Sequence, residues 1–408
     1  MLSLFERSFA MQQRLPEPDS DARDHSARLL AMLRDEVAAR GPMSFARFME
    51  CCLYTPGLGY YSAGSAKLGA EGDFVTAPEL GDLFARCVAN HVLPALRELG
   101  DSADMLELGG GSGAFAEDVL TALHDAGVVP RRYRILEPSA DLRERQRVRL
   151  QAALPADLAA RVEWLDRPPH EPWHGVLFAN EVIDALPTTR FTIHDGEVHE
   201  EHVIVDDDGR LARQDRPADP LVAAAVRHVE KSLGRQLDDG YRSEVLPQLP
   251  YWLDAVAGTL ERGLLLFVDY GYPRHEYYRP ERRDGTLRAH YRHRAHADPF
   301  FWPGLQDLTA SVDFTALAEA GHHAGFELAA YAPQAPFLVA GGLEQAFGEA
   351  HAHAPDEKRR YQLAQQVKQL TLPGMMGESF QAMLLTRGLD VETVVADALR
   401  RSDRRSRL

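Results

Sequence analysis

The chain has 408 residues and a formal charge of −16 at pH 7, from 45 Lys and Arg against 61 Asp and Glu. A hydrophobic share of 45% and a charged share of 26% exclude a disordered or fibrous chain and allow two domains, or one large one with insertions. The acid excess argues against a nucleic-acid partner, which needs clustered cations to meet its phosphates, and leaves a cationic partner open.

In chain order, apolar residues at helical spacing (Leu29, Leu30, Leu33, Val37) predict a helix over Ser26–Ala39, stopped by Gly41-Pro42. A second helix is expected over Ser44–Leu53, with Ser44 as its N-cap. Residues 55–81, TPGLGYYSAGSAKLGAEGDFVTAPELG, carry too many glycines and prolines for a regular element, and their aromatics point to a functional loop. A helix around Leu83–Ala95 follows.

From Asp104 strands and helices alternate. DMLEL reads as a buried strand entering a glycine turn, Ala114–Ala126 as a helix, Tyr133–Glu137 as a strand and Ala140–Ala153 as a helix. Val162–Leu165 and Gly175–Ala179 are further short strands. This alternation predicts an α/β fold on a parallel sheet. Residues 190–210 read as an antiparallel hairpin turning at Asp195-Gly196, and 219–258 as mainly helical. Leu264–Asp269 is the strongest strand. The basic, aromatic stretch 274–311 shows no clear periodicity. A helix over Asp313–Ala324, a strand over Phe326–Tyr331, helices within 342–372 and a strand over Phe380–Thr386 complete the pattern.

Two other features bound the setting. Three cysteines, Cys51, Cys52 and Cys87, without CxxC spacing, fit a reducing compartment better than a disulfide framework. No run of about 18 apolar residues predicts a membrane span. The N-terminal stretch lacks a secretory apolar core and carries acids early, so a cytoplasmic protein is expected.

The chemistry concentrates in three segments. Glu107-Leu108-Gly109-Gly110-Gly111-Ser112-Gly113 joins a strand to a helix, where glycines let the backbone turn and approach a ligand and helix N–H groups face it. Glu137 ends the next strand, 24 residues after Gly113, where a carboxylate can accept both ribose hydroxyls of a nucleoside. Gly109, Gly111 and Ala114 also fit the G-x-G-x-x-A fingerprint of an NAD(P)-dependent oxidoreductase. Glu107, Gly109, Gly111 and Gly113 fit the E-x-G-x-G-x-G pattern of S-adenosylmethionine sites. The acid decides for the second, because it would repel a pyrophosphate and attract the methionine ammonium. A glycine turn with no ligand is the plain alternative.

Asn180-Glu181-Val182-Ile183-Asp184-Ala185-Leu186-Pro187 follows the short strand 175–179, at the sheet edge where ligands of open α/β sheets sit. Asn180, Glu181 and Asp184 are the candidate catalytic residues. Their carboxylates can clamp a guanidinium in bidentate fashion and hold its charge away from an attacking nitrogen. The plain alternative is capping of a following helix. In Gly72-Asp73-Phe74-Val75-Thr76-Ala77-Pro78-Glu79, Asp73 or Thr76 is expected to reach the methionine end of the cofactor as the loop closes over it. Alternatively, Thr76 or Glu79 simply caps the next helix. His290, His293 and His296 lack any HExxH-type partner and are interleaved with arginines, so no metal is expected. Asp269 and Tyr270, at the end of the strongest strand, either shape an acceptor channel or serve packing and capping.

The motifs LYTPGLGYY, GDFVTAPELGDLF, LELGGGSGAF, YRILEPSADLRERQ, FANEVIDALP, LLLFVDYGY, GTLRAHYRHRAH, GLQDLTASVDF and MMGESF run in order from about residue 44 to 386. Together they resemble the MidA-like family of S-adenosylmethionine-dependent methyltransferases, relatives of the mitochondrial complex I assembly arginine methyltransferase. The resemblance implies a class I (Rossmann-like) core of seven strands with the last antiparallel, a helical N-terminal cover and a largely helical insertion. The expected layout is a cover and glycine-rich lid over 1–90, core over 91–190, hairpin and helical insertion over 191–262, core over 263–340, and C-terminal helices with the final strand over 341–408. It also implies that Gly109, Gly111 and Gly113 contact the cofactor, Glu137 its ribose, and that a protein substrate is methylated on arginine. Gly110 stands where the family usually has proline. A non-catalytic assembly factor using the same fold is the other alternative.

Overall fold

The strand Asp104–Leu108 (β1) is buried along its whole length, as a strand covered on both faces must be. In the computed structural model, which describes residues 15–62 and 76–408, β1 lies inside a mixed sheet. Its companions are Tyr133–Leu136 (β2), Val162–Leu165 (β3), Trp173–Asn180 (β4), Leu260–Tyr272 (β5), Glu327–Pro333 (β6) and Phe380–Arg387 (β7). The order is β6-β7-β5-β4-β1-β2-β3. β7 is antiparallel to both neighbours, and the other pairs are parallel.

The sheet holds eight strands, one more than the resemblance implies. The extra strand is Val312–Asp313, parallel to Gly271-Tyr272 at the end of β5. The cause is length: β5 spans 13 residues, but its pairing with β4 ends at Val268, so its last residues expose an edge that the two-residue strand covers.

Side chains alternate between two apolar cores. Met105, Val176, Phe178, Leu264 and Leu266 share one with the helices Leu83–Leu99 (α1), Ala114–Asp125 (α2) and Ala140–Ala153 (α3). Leu106, Leu177, Leu265 and Phe267 share the other with residues of Leu249–Ala257 and Phe314–His323. In α3, Ser139 is the N-cap and accepts the N–H of Leu142, and in the N-terminal helix Phe45–Tyr54 Ser44 does the same for Arg47.

The expected largely helical insertion is half sheet. Thr189–His194, Glu197–Val205, Leu211–Pro217 and Arg242–Val245 join Met43–Ser44 in an antiparallel sheet of five strands, with the helix Pro220–Leu233 (α4) against it, while Leu249–Ala257 (α5) packs on the main sheet. The hairpin at Asp195-Gly196 forms as expected, both residues having positive φ. Arg242–Val245 escapes the sequence because RSEV is short and polar. Its Glu244 is buried against Arg190 (3.1 Å), a pairing that exists only once the strands are assembled. The unpatterned 274–311 stretch contains a second small sheet of Arg294–His296, Arg288–Tyr291 and Asp307–Thr309. It packs with the N-terminal helices through Leu29, Phe48, Leu287 and Leu308.

Candidate functional site

The carboxyl ends of β1, β2, β4 and β5 open into a cavity of about 910 Å³. It lies where the sheet order reverses between β1 and β4, the place at which open α/β sheets bind ligands. Beyond β1 the chain turns at Gly109, Gly111 and Gly113, with φ of +68°, +52° and +83°. Side chains other than glycine strain in that region, so the run of glycines is what the turn demands. Gly109 and Gly111 line the cavity; Gly113 does not, and instead caps α2 with its N–H on the Gly110 carbonyl (2.8 Å).

Glu107 and Glu137 line the same end. Glu107 is buried and accepts the Tyr133 hydroxyl at 2.8 Å. Burial pushes its carboxyl up to about 8, against the pull of that hydrogen bond. Glu137, after β2, accepts the N–H of Ser139 (3.0 Å) and the Gln146 side chain (3.4 Å). Burial raises it to about 6, with those donors working the other way. Gln146 also donates to the Gly111 carbonyl at 2.9 Å, so it ties the glycine turn to the carboxylate.

The loop after β4 supplies the opposite wall. Glu181 sits at φ +54°, an uncommon conformation for a residue with a side chain, and its N–H bonds the Val268 carbonyl at 2.9 Å. The loop wraps around buried Asp269, whose Oδ2 accepts the N–H groups of Val182 (3.3 Å), Ile183 (3.0 Å) and Asp184 (3.3 Å). Asn180, Glu181 and Asp184 all line the cavity. Asn180 donates to Glu181 at 3.0 Å. Burial first, then the Asp184 carboxylate, push Glu181 up to about 8; burial raises Asp184 to about 6, with the nearby Tyr270 hydroxyl and backbone N–H groups opposing.

The structure thus brings Glu107, Gly109, Gly111, Glu137, Thr76, Asn180, Glu181 and Asp184 to one cavity. Asp73 lies outside the described residues, as does most of the loop expected to close as a lid. Among the described residues no three His, Cys, Asp or Glu side chains are placed to hold a metal ion. His290 lines the cavity, while Arg292 and His293, both at positive φ, form the hairpin turn beyond it.

Sequence reasoning missed several wall residues. Asp166 directly follows β3, and the rule that found Glu137, an acid just past a strand end, would have found it. Tyr54 and Tyr61 stack at 5.6 Å and donate to the Ala185 carbonyl (2.8 Å) and to Asp307 (2.9 Å). Nothing local marks these contacts, which join residues far apart in the chain. Tyr270, held open between channel and packing, lines the cavity, and Asp269 serves as the anchor of the 182–184 turn.

The wall suits a cofactor rich in hydrogen-bond donors and positive charge. Among the described residues, the side-chain carbonyl of Asn180 and one carboxylate oxygen of Asp184 are buried without a hydrogen-bond partner, and the surrounding acids favour cations. A nucleoside carrying an ammonium and a sulfonium meets those requirements, which defines an α/β nucleoside-cofactor enzyme of the methyl-transfer type. A family model described as "Putative S-adenosyl-L-methionine-dependent methyltransferase" matches residues 87–332, and the chain belongs to that family. A crystal structure of a Burkholderia thailandensis protein bound to S-adenosyl-homocysteine is similar at a TM-score of 0.89 and 42% identity, over 97% of this chain and 100% of that one. The Drosophila melanogaster "Protein arginine methyltransferase NDUFAF7 homolog, mitochondrial" is 28% identical over 401 residues, covering 92% of this chain and 88% of the relative. The Homo sapiens "Protein arginine methyltransferase NDUFAF7, mitochondrial" is 26% identical over 388 residues, covering 88% of this chain and 83% of the relative.

The protein is therefore an S-adenosylmethionine-dependent methyltransferase, and the oxidoreductase alternative finds no support. The cytoplasmic expectation is corrected: these relatives are mitochondrial by name, and an acid-bearing N-terminal stretch does not outweigh them. Among the described residues no helix is long and apolar enough to cross a membrane.

Proposed function

We propose that the enzyme methylates an arginine side chain of a protein, using Asn180, Glu181 and Asp184 to hold the guanidinium. One observation carries this reading: Glu181 and Asp184 stand on a single anchored turn in the cavity, and neither makes an ion pair among the described residues. Two carboxylates without a cation of their own suit a planar group with five N–H donors. The names of the similar eukaryotic proteins support arginine as the acceptor.

In this reading the eight-stranded sheet is a class I core of seven strands with the Val312–Asp313 addition. The cover over 1–90 and the insertion over 191–262 flank the core segments 91–190 and 263–340, and 341–408 closes the chain. Gly109, Gly111 and Gly113 shape the cofactor turn, Glu137 accepts the ribose hydroxyls and Glu107 attracts the ammonium. Thr76 approaches the methionine end. Bound S-adenosylmethionine supplies an electrophilic methyl group. The carboxylates orient one guanidinium nitrogen toward it, keep the positive charge on the others, and take up the proton that the methylated nitrogen sheds.

The test compares the wild type and Glu181→Gln on protein extract from cells lacking the gene, with methyl-labelled cofactor and mass spectrometry of the products. Labelled methylarginine with the wild type and none with Glu181→Gln, both still binding S-adenosyl-homocysteine, is expected. Label confined to lysine, glutamine or small molecules would overturn the arginine reading.

A further inference from the structure

A second cavity, of about 780 Å³, lies behind the first. Its walls come from α4, α5 and the helix Phe314–His323 (α6). Asp184, Leu186 and Ser311 line both cavities, so the proposed acceptor carboxylate stands in the partition between them. Asp184 is buried, and among the described residues its Oδ1 meets no hydrogen-bond partner.

The second cavity has an apolar rim and an acidic lining. Leu221 and Tyr251, on its walls, are 44% and 69% exposed, high values for large apolar side chains. Among the described residues, five carboxylates (Asp184, Glu244, Asp254, Asp313 and Glu319) face it, with one guanidinium, Arg274. That guanidinium is already satisfied, its Nε donating to Asp313 (3.0 Å) and its two terminal nitrogens to Glu319 (2.7 and 2.6 Å). Glu244 is paired with Arg190 (3.1 Å) and His228 is turned to Glu319 (3.1 Å), so the charge left over is that of Asp184 and Asp254, and it is negative. Apolar side chains over a negative floor complement a polypeptide with both apolar and cationic residues.

We propose that the second cavity is the docking groove for the stretch of substrate protein flanking the methylated arginine. This rests on the arginine reading above. The flanking chain lies against Leu221 and Tyr251, and its arginine reaches past Leu186 and Ser311 to Asp184 in the first cavity. Binding energy gathered at the groove then positions a side chain that the small acceptor pocket alone would hold weakly.

The test uses a fluorescein-labelled dodecapeptide with one arginine among leucine, valine and lysine residues, and the full chain saturated with S-adenosyl-homocysteine. Fluorescence anisotropy compares the unchanged protein with three variants. Ala225→Trp fills the groove from α4; Tyr251→Ser strips the exposed rim without touching a core; Ala224→Trp places the same bulk on the exposed side of α4. Affinity about tenfold weaker for Ala225→Trp and Tyr251→Ser is expected, with no change for Ala224→Trp and equal S-adenosyl-homocysteine affinity throughout. Equal peptide binding by all four proteins, or none by the unchanged protein, overturns the proposal. A concentration-dependent dimer that Tyr251→Ser dissolves assigns the groove to a second copy of this chain and also overturns it. Methylation is scored separately. A peptide that docks as expected but gains no methylarginine from S-adenosylmethionine leaves the groove standing and removes the arginine reading. Methylation with the same KM in Ala225→Trp and the unchanged protein does the reverse.

Discussion

The carboxylate of Asp269 accepts the backbone N–H of Ile183 at 3.0 Å, at the centre of a fan of three consecutive N–H groups. A fourth donor, the N–H of Tyr270, meets its other oxygen at 2.9 Å. A buried carboxylate at the end of one strand thereby sets the turn that follows its neighbour, and with it the directions of Glu181 and Asp184.

Replacing Asp269 by alanine leaves those N–H groups buried without an acceptor, at a cost of about 1–3 kcal/mol for each one left unsatisfied. The Asp269→Ala variant is expected to melt earlier and to lose methyl transfer by about a hundredfold or more, because misplaced acceptor groups cost rate steeply. S-adenosyl-homocysteine affinity, set at the other wall, should fall by less than about fivefold. Retention of full transfer would remove Asp269 from its positioning role.

Affinity for S-adenosylmethionine should rise with pH. Burial raises Glu137 and Asp184 to about 6 and Glu107 and Glu181 to about 8, so part of this set is protonated at neutral pH. A cationic ligand favours the ionised forms, so binding strengthens as pH climbs through 6 to 8. S-adenosyl-homocysteine lacks the sulfonium charge and should show a shallower slope. Calorimetry with both ligands across this range checks it; identical slopes would contradict the electrostatic account.

The same groups set a stability trend in the free enzyme. Their folded pKa values lie above the unfolded ones, so the folded state binds more protons over the interval between. Their stabilising contribution is complete below the ordinary carboxylate range and is lost as pH rises through about 6 and then about 8. The increase in melting temperature on adding S-adenosylmethionine should therefore be larger at about pH 8 than at about pH 6. Thermal scans with and without ligand read this directly, and a ligand shift independent of pH would refute it.

Arg190 is buried between Glu201 (3.2 Å) and Glu244 (3.1 Å), both buried themselves. Arg190→Met strands Glu244 in the interior, while Glu201 keeps Arg242 and Arg213, and should destabilise the insertion by roughly 3–5 kcal/mol, as loss of one partner of a buried ion pair does. Glu244 also accepts the N–H of Thr286 (2.8 Å), on the wall of the main cavity, so the variant should loosen that wall as well. Hydrogen exchange over residues 284–290 reports the loosening, and denaturant titration the stability.

Local order and the cofactor end were legible in the sequence because each is encoded within a few residues. The strand DMLEL, the glycines at 109, 111 and 113 and the acid at 137 follow from apolar runs, backbone freedom and strand-end position. The strand Arg242–Val245, the Tyr61–Asp307 bond and the Asp269 anchor were not legible. Each joins segments tens to hundreds of residues apart, and a polar side chain has no local pattern until a partner removes it from water. The −16 charge divides in the same way. Composition alone argued against a nucleic-acid partner, but only the tertiary fold gathered Glu107, Glu137, Glu181 and Asp184 around one cavity. Burial there, rather than acidity itself, raises their proton affinity and suits them to a cationic cofactor and acceptor.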